Sequence, residues 1–223
     1  MQSPITVGIL GGTGDLGSGL ARLLAAAGYP VVIGSRNKDK AEQAAQALAS
    51  QVQANVRGDD NRGAARQADI VLLCVPYSSH DAIVQEIKPD VDGKILVDAV
   101  VPLVPPKVSV VQIPAQGSPP IVAQRMLGEG VRVAAAFHNV GAKKLHSGEK
   151  ADCDVLVFAD DLEVRQKVIA LANVVATRGV DGGVLANTVA AEALTSVLIA
   201  INRRYKIPGA GIRITGLPPP ETQ

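Results

Sequence analysis

The sequence predicts an α/β fold in which helices cover both faces of a doubly wound parallel sheet. Short apolar runs of the kind found in buried strands alternate with stretches of helical character along the 223 residues. Apolar residues make up 47% of the chain, and aromatic residues make up only 2%. Parallel strands that alanine-rich helices bury on both faces need this supply of small and branched aliphatic side chains.

The first predicted elements are strand-like runs that end in turn residues. The apolar run that begins at Ile5 enters a glycine-rich turn, and Gly28 is suited to end the helix that follows. The next helix has a polar face of Glu42, Gln43 and Gln46, whereas the strand after it is weakly specified. The elements predicted here are strand 5–10, helix 15–27, strand 31–34, helix 39–49, strand 51–56 and helix 61–67.

The remainder of the chain continues this alternation, with one proline-rich interruption at 102–120. Because the final helix has few polar residues on any side, we expect it to be buried, in part against a second subunit. The elements predicted here are strand 69–76, helix 79–87, strand 94–99, helix 121–127, strand 131–137, strand 154–159, helix 162–174, helix 185–201 and a glycine- and proline-rich tail at 209–220.

Composition excludes several classes of function. The net charge of +1 gives no electrostatic support for a nucleic-acid partner. Cys74 and Cys153 lie far apart in apolar stretches, without the spacing of a metal site or a disulfide framework. The first strand begins so early that no signal peptide is expected, and no apolar run approaches membrane-spanning length. We therefore expect a cytoplasmic protein with no metal and no membrane partner.

The glycines after the first strand form the pattern G-x-G-x-x-G at Gly12, Gly14 and Gly17. Gly12 allows a tight turn, Gly14 lets the backbone approach a pyrophosphate, and Gly17 seats the helix against the strand. The helix N-terminus then offers unpaired N–H donors to the phosphates. A glycine-rich turn without a ligand is the alternative. The predicted dinucleotide-binding residues of this turn are Gly12, Thr13, Gly14, Asp15, Leu16 and Gly17.

The end of the second strand indicates which dinucleotide binds. An NAD site places an Asp or Glu there to accept from the ribose 2′-OH, whereas this chain has Ser35 and Arg36. A hydroxyl beside a guanidinium suits a 2′-phosphate, because Arg forms paired charge-assisted hydrogen bonds to it. Lys38 and Lys40 follow closely, and Lys40 is included in the predicted site. Both lysines also fit a solvated helix start. The sequence thus predicts NADP.

Ligands of doubly wound sheets bind beyond the carboxyl ends of the strands, which collects further candidates. Val75 and Pro76 are expected to form an apolar nicotinamide pocket, and Val101 and Asn139 to lie in the same crevice. His138 is the candidate catalytic group, since it follows an apolar strand and can donate or accept a proton. A histidine hydrogen-bonded for packing is the alternative.

Three more polar residues near the strand ends receive lesser roles. Asp98 is expected to cap a turn rather than to act in catalysis. His80 and His146 are expected to be surface residues.

The chain resembles the NADPH-dependent coenzyme F420 reductases, also called F420:NADP oxidoreductases, over nearly its whole length. The resemblance is carried by five motifs, which are Gly-Gly-Thr-Gly-Asp-Leu-Gly at 11–17, Gly-Ser-Arg at 34–36, Val-Pro at 75–76, Ala-Phe-His-Asn at 136–139 and Glu-Ala-Leu-Thr at 192–195. It implies a Rossmann domain over 1–140 and a smaller, helical C-terminal part over 141–223. The C-terminal part would complete the deazaflavin site and the interface of a homodimer.

The resemblance also implies the chemistry, a hydride transfer between C4 of the nicotinamide and C5 of the 8-hydroxy-5-deazaflavin. Both partners are hydride carriers, so the protein has to bind, orient and exclude water. By position, His138 and Thr195 match residues near the bound rings, whereas Ala193 stands where the family often has a hydroxyl. Cations without a nearby acid would suit the anionic tail of F420; they are Arg203, Arg204, Lys206 and Arg213.

Two other functions fit the nucleotide motif. A reductase of a small carbonyl or imine compound would need a firm proton donor near the nicotinamide, for which Tyr77 is the available residue. A non-catalytic NADP-sensing regulator would keep the nucleotide motif and lack a second ring pocket.

Overall fold

The computed structural model describes residues 4–218, which form one eight-stranded sheet with helices on both faces. Its elements are β1 (Val7–Leu10), α1 (Asp15–Ala26), β2 (Val31–Ser35), α2 (Lys38–Val52), β3 (Val56–Asp60), α3 (Asn61–Gln67), β4 (Ile70–Leu73), α4 (His80–Ile87), β5 (Ile95–Asp98), α5 (Pro119–Leu127), β6 (Arg132–Ala135), α6 (Ala142–Leu145), β7 (Ala151–Ala159), α7 (Leu162–Val175), β8 (Ala176–Asp181) and α8 (Thr188–Tyr205).

The order of the strands places a crevice beside β1. The sheet runs β3-β2-β1-β4-β5-β6-β7-β8, and β1 to β6 are parallel. β7 then pairs antiparallel with β6 and parallel with β8. Because the chain moves outward in opposite directions from β1, the carboxyl ends of β1 and β4 open a crevice between the two halves. The predicted Rossmann-type fold class is confirmed.

The core is split by the sheet into two apolar layers. One layer joins the strands to α1, α2 and α7, and the other joins them to α3, α4 and α5. All four residues are buried in each of the strands β1, β4 and β5. Continuous burial explains why these strands read as unbroken apolar runs, since both faces contact helices.

The two edge strands differ from the sequence prediction. The strand predicted at 51–56 is wrong, because α2 continues to Val52 and β3 begins only at Val56. β8 was not predicted at all. Both strands pair with a single neighbour and carry polar or glycine residues, so the apolar pattern that reveals a buried strand is missing from their sequences.

The final helix is covered by the rest of the chain on one side only, and the second subunit that was expected to cover the remainder is untested. Thr188, Glu192 and Ser196 are buried, whereas Val189 and Val197 are each 43% exposed. The polar side chains therefore face the protein, and much of the apolar surface faces outward. The expectation that no run approaches membrane-spanning length is also wrong. Among the described residues, the helical stretch 185–205 is long and apolar enough to span a membrane by length and composition alone, with a mean hydropathy of 1.4.

The C-terminal tail is held against the last two strands by a buried ion pair. Arg178 binds Asp154 at 2.7 Å, and the same carboxylate accepts from the backbone N–H of Ile214 at 2.7 Å. Asp154 also donates its own N–H to the carbonyl of Ile212. Of the tail predicted at 209–220, Pro219 and Pro220 lie outside the described residues.

Candidate functional site

The glycine turn between β1 and α1 has the geometry of a phosphate-binding turn. A Cβ on Gly12 would lie 2.8 Å from the carbonyl of Ile9, and one on Gly17 would lie 2.5 Å from the carbonyl of Gly11. At Gly14 the nearest atom would be 3.3 Å away, so this glycine has open space on its outer side. Gly12 and Gly17 are thus needed for packing, and Gly14 gives access to the turn.

The N-terminus of α1 points into this open space. Gly14 is its N-cap residue, and no side chain of the described residues caps the helix. The N–H groups of the first turn and the positive end of the helix dipole are therefore available to an anion. Asp15 and Leu16 belong to this first turn, and Leu16 also packs against the apolar core.

A crevice of about 220 Å³ lies beside the turn and contains six of the predicted residues. These are Thr13, Gly14, Ser35, Arg36, Val75 and Pro76. Gly11, Asn61, Cys74, Ser79 and Ile83 also line the crevice and were not predicted. Gly11 has a φ of 75°, which is a conformation that favours glycine. The glycine directly before Gly12 was the signal for this turn that the sequence contained.

The outer end of the crevice offers a hydroxyl and an unpaired cation. Within residues 4–218, Arg36 forms no ion pair, whereas Lys38 is 3.0 Å from Asp59. Lys40 is exposed on α2 and does not line the crevice. Of the residues predicted to bind a 2′-phosphate, Ser35 and Arg36 therefore line the crevice, whereas Lys40 does not.

Asn61 provides a second indication that a polar ligand fits here. Its side chain is buried, and in the described part of the chain its Oδ1 atom has no hydrogen-bond partner. A buried carbonyl oxygen without a donor is unfavourable unless a ligand or water supplies one. The hydroxyl and amino groups of a nucleotide are donors of this kind. Sequence analysis missed Asn61 because the strand before it was misplaced.

The part of the crevice wall that follows β4 is apolar. Val75 and Pro76 follow β4, and burial of the Cys74 thiol raises its pKa to about 12, so the thiol stays neutral. Val101 is half-buried and does not line the crevice. The surface formed by Val75 and Pro76 suits the face of a flat ring that must be shielded from water.

The predicted residues Asn139 and Thr195 join the end of β6 to α8. The Nδ2 atom of Asn139 donates to the carbonyl of Ala191 at 2.9 Å. The hydroxyl of Thr195 donates to the carbonyl of His138 at 2.9 Å and lies 3.1 Å from that of Ala191. Phe137 has a φ of 70°, which is rare outside glycine and marks a strained backbone beside this junction.

His138 is enclosed at the same junction. Its ring is buried, and neither nitrogen has a partner among the described residues. Burial lowers its pKa to about 4, so the imidazole is neutral at pH 7. The structure does not place His138 in the wall of the glycine-turn crevice. A neutral ring with two unsatisfied nitrogens can accept and donate one hydrogen bond each, but it cannot act as an acid at neutral pH.

The prediction that His80 is a surface residue is wrong. His80 is 1% exposed, and its two ring nitrogens lie 2.8 Å from Asp98 and 2.6 Å from Asp81. The signal was present, since His80 shares the inward face of α4 with Ile83, Val84 and Ile87. His146 is at the surface, as expected, and lies 3.7 Å from Asp15.

Asp98 has the turn-capping role predicted for it and a further contact. One carboxylate oxygen accepts from the N–H of Val100 at 2.9 Å, and the other binds His80. Asp98 therefore fixes both the loop after β5 and the start of α4.

Glu192 is the functional candidate that sequence analysis passed over. It is 3% exposed, accepts from the hydroxyl of Ser118 at 2.5 Å, and lies 3.4 Å from the hydroxyl of Thr188. Burial raises its pKa to about 7. It appeared in the sequence as one of the few polar residues of the final helix and as the first residue of the motif at 192–195, without a role of its own. Helical spacing alone could not show that it points inward.

The curated relatives that match this chain over nearly its whole length share one name. Residues 6–102 match the family described as NADP oxidoreductase, coenzyme F420-dependent. The F420-dependent NADP reductase of Methanocaldococcus jannaschii is 38% identical over 221 residues, which cover 95% of this chain and 98% of that protein. The enzyme of the same name from Methanothermobacter marburgensis is 37% identical over 221 residues, or 95% and 99% of the two chains.

A solved structure supports the same fold. The structure from Arthrobacter sp. FB24 described as an F420-dependent NADP-reductase superposes with a TM-score of 0.77. It is 22% identical, and the match covers 96% of this chain and all of that one.

Proposed function

The chain belongs to the F420-dependent NADP reductases, which transfer a hydride between NADP(H) and coenzyme F420, and we propose that it does so at the crevice beside the glycine turn. The observation that carries this placement is the position of Ser35 and Arg36 at the mouth of that crevice. Across the part of the chain that is described, no carboxylate lines the crevice, so a 2′-phosphate meets no repulsion from its walls.

We assign the nucleotide-binding roles as follows. The N–H groups after Gly14 bind the pyrophosphate, with the α1 dipole favouring its charge. Ser35 and Arg36 bind the 2′-phosphate, and Asn61 accepts from a nucleotide hydroxyl or amino group. Val75 and Pro76 cover one face of the nicotinamide.

The protein's contribution to hydride transfer is positional. The bound nicotinamide supplies the hydride chemistry, and the chain holds the two rings in contact while keeping water away. The apolar wall at Val75 and Pro76 excludes solvent from one side. His138 and Thr195 are assigned to the other side, near the deazaflavin. His138 provides a neutral donor there, and the Thr195 hydroxyl, whose hydrogen is bound to a backbone carbonyl, provides an acceptor.

We further propose that residues 141–223 complete the deazaflavin site and the subunit interface. Hydrogen bonds from Asn139 and Thr195 link the Rossmann part to α8, so a ring bound between them would contact both parts. Arg203 and Arg204 near the end of α8 are exposed, in keeping with binding of an anionic tail.

We propose that the protein is a cytoplasmic homodimer in which α8 packs against a second copy. Val197, Ile201 and Tyr205 are spaced by four residues and form an apolar stripe on the outer side of α8, with Tyr205 68% exposed. The adjacent segment 104–113 exposes further apolar side chains, and Arg203 binds Ser109 of that segment at 3.1 Å. Exposed apolar side chains gathered on neighbouring segments in this way are typical of a subunit interface.

The experiment that tests the proposed site is a binding titration. Purified protein is titrated with NADP and with NAD, and the parent is compared with Arg36→Ala. We expect NADP to bind the parent much more tightly than NAD, and the substitution to remove most of this difference. Equal affinities in the parent would contradict the placement of the 2′-phosphate.

A further inference from the structure

Glu192 lies in the wall of a second cavity, separate from the glycine-turn crevice. This cavity has a volume of about 270 Å³ and lies between the end of the proline-rich excursion, with the start of α5, and the first half of α8. Its walls are largely apolar, with Ile113, Ile121 and Val189 among them, and Glu192 is the ionisable residue in them. An apolar wall disfavours the charged form of an acid, so the presence of Glu192 in this wall has to be explained.

Hydrogen bonds connect this cavity to the nicotinamide end of the crevice. Tyr77 follows directly after Val75 and Pro76, and its phenolic oxygen accepts from Nε2 of Gln116 at 2.8 Å. Ser118, two residues further on, donates to Glu192. The carboxyl group is therefore bound to the same stretch of chain, 116–118, that contacts Tyr77 next to Val75 and Pro76.

The hydrogen bonds of Glu192 leave one oxygen free. Oε1 accepts from Ser118 at 2.5 Å and faces Thr188 at 3.4 Å. Among the residues described here, Oε2 has no hydrogen-bond partner, and no Lys or Arg forms an ion pair with the carboxyl group. The free oxygen can thus exchange a proton with a molecule that enters the cavity.

The groups around Glu192 set its protonation. Burial raises its pKa to about 7, and the charge of Asp98 acts in the same direction. Hydrogen bonds from Ser118 and Thr188 and a protonated His80 favour the carboxylate. In turn, the charge of Glu192 contributes to the raised pKa of Tyr77.

Both ring nitrogens of His80 are engaged by Asp81 and Asp98, and three other titratable groups near the site cannot supply a proton at neutral pH. His138 is already deprotonated, because burial lowers its pKa to about 4. The Cys74 thiol, with a pKa of about 12, and Tyr77, whose pKa is raised mainly by burial, hold their protons too firmly. A general acid or base works best when its pKa lies near the working pH.

On the basis of the proposed function, we propose that Glu192 holds the proton that accompanies hydride transfer to F420. Glu192 gives its proton to a nitrogen of the pyrimidine ring as the hydride leaves C4 of NADPH and bonds to C5 of the deazaflavin. The products are NADP⁺, the reduced deazaflavin and the Glu192 carboxylate, which takes a proton back from water. In the reverse direction the carboxylate accepts the ring proton as the hydride returns to NADP⁺.

This role gives the two directions opposite pH dependences. Reduction of F420 needs protonated Glu192, so kcat falls as the pH rises through about 7. Oxidation of the reduced coenzyme needs the carboxylate, so kcat falls as the pH drops through the same value. If ionisation of the coenzyme caused the pH dependence of kcat, the same dependence would also appear in a variant that lacks the Glu192 carboxyl group.

The test compares the parent with Glu192→Gln in both directions across this pH range. We expect the variant to lose both limbs of the pH dependence, which are the fall of kcat at high pH in F420 reduction and the fall at low pH in the reverse reaction. Its kcat should drop at least about 10-fold, with the affinity for NADP unchanged. Glu129→Gln is the matched control, because Glu129 is exposed in the loop before β6, at the amino end of that strand. Retention of both limbs and of full kcat by Glu192→Gln, in an active parent, would overturn the inference and leave the proposed function intact.

Two measurements keep the test decisive if the Gln variant folds poorly. Ser118→Ala removes a donor that favours the carboxylate, so the limbs should move to higher pH in a protein that keeps its acid; limbs that stay in place would overturn the inference. Infrared difference spectra of the protein without coenzymes should show a carboxyl band that titrates near pH 7 and is absent from Glu192→Gln. Absence of that band from the parent would also overturn the inference. Failure of the parent to oxidise NADPH with F420 would instead reject the proposed function.

Discussion

The Nε2 atom of His80 lies 2.8 Å from the Oδ2 atom of Asp98, and both side chains are fully enclosed by the protein. Asp98 ends β5 and His80 begins α4, so this contact fixes the helix to the sheet. Ser79 and Ile83, on either side of His80, line the crevice beside the glycine turn. A buried pair therefore holds one wall of the proposed binding site in place.

The first prediction concerns this pair. Despite burial, which opposes the charged ring, the hydrogen bond to Asp98 raises the pKa of His80 above 6.5. The resulting stabilisation is fully present below about pH 6.5 and is lost as the pH rises through the folded-state pKa. Asp98→Asn should therefore lower the free energy of unfolding by about 3 kcal/mol near pH 6, and by less near pH 9. Urea denaturation at both pH values measures this.

Asp81→Asn is the control for the first prediction. The Asp81 side chain also contacts His80, but it is 60% exposed, so its loss should cost much less. A deficit for Asp98→Asn that is the same at both pH values would show that the pair is not stabilised by the charge on His80.

The second prediction separates the roles of the glycines. Gly14→Val should fold, because its φ of −84° suits any residue and the nearest atom to a Cβ is 3.3 Å away. The added side chain occupies the approach to the pyrophosphate, so NADP binding should fall below detection. Gly17→Ala places a Cβ 2.5 Å from a backbone carbonyl and should instead destabilise the fold by about 2 kcal/mol or more. Calorimetry and thermal melts distinguish the two effects, and near-normal NADP binding by Gly14→Val would contradict the assignment.

The third prediction concerns the choice of nucleotide. NADPH should be preferred to NADH by about 100-fold or more in kcat/KM, from charge-assisted bonds to the 2′-phosphate. Arg36→Ala should raise KM for NADPH by about 10-fold or more and leave KM for NADH unchanged. Lys40→Ala, which changes a cation outside the crevice, should have little effect on either. A comparable loss in both arginine and lysine variants would indicate a diffuse charge effect rather than a site.

The fold and the nucleotide turn were predictable because each rests on a local pattern. Buried strands such as β1 and β4 are unbroken apolar runs, and the glycine spacing follows from contacts within the turn itself. The edge strand β8 and the buried residues His80 and Glu192 were not found. The apolar face of α4 that His80 shares was a signal for its burial. By contrast, β8 lacks an apolar pattern, and the inward direction of Glu192 depends on how α8 is turned in the assembled fold.

The fourth prediction concerns the subunit interface. Val197→Asp places a charge on the exposed apolar stripe of α8, where a second copy would leave it desolvated and unpaired, so the dimer should dissociate. Leu162→Asp is the control, since Leu162 is 54% exposed at the first residue of α7, outside that stripe. Sedimentation velocity measures both. A parent that sediments as a monomer would contradict the proposed interface.

The fifth prediction concerns His138. Replacement by Ala removes a buried neutral imidazole near the proposed deazaflavin site, so kcat should fall by about 10- to 1000-fold without being abolished. His146→Ala, at an exposed position, should leave kcat unchanged. Unchanged turnover of His138→Ala at saturating F420 would leave His138 with a packing role only.

Direct transfer of hydrogen between the coenzymes tests the central claim most directly. NADPH carrying deuterium at both hydrogen positions of nicotinamide C4 is mixed with oxidised F420 and the purified protein in ordinary water. The reduced deazaflavin is then analysed by mass spectrometry and NMR. The account predicts loss of the deazaflavin absorbance and deuterium at C5 of the product. No loss of absorbance, or a product that carries only solvent hydrogen at C5, would contradict it.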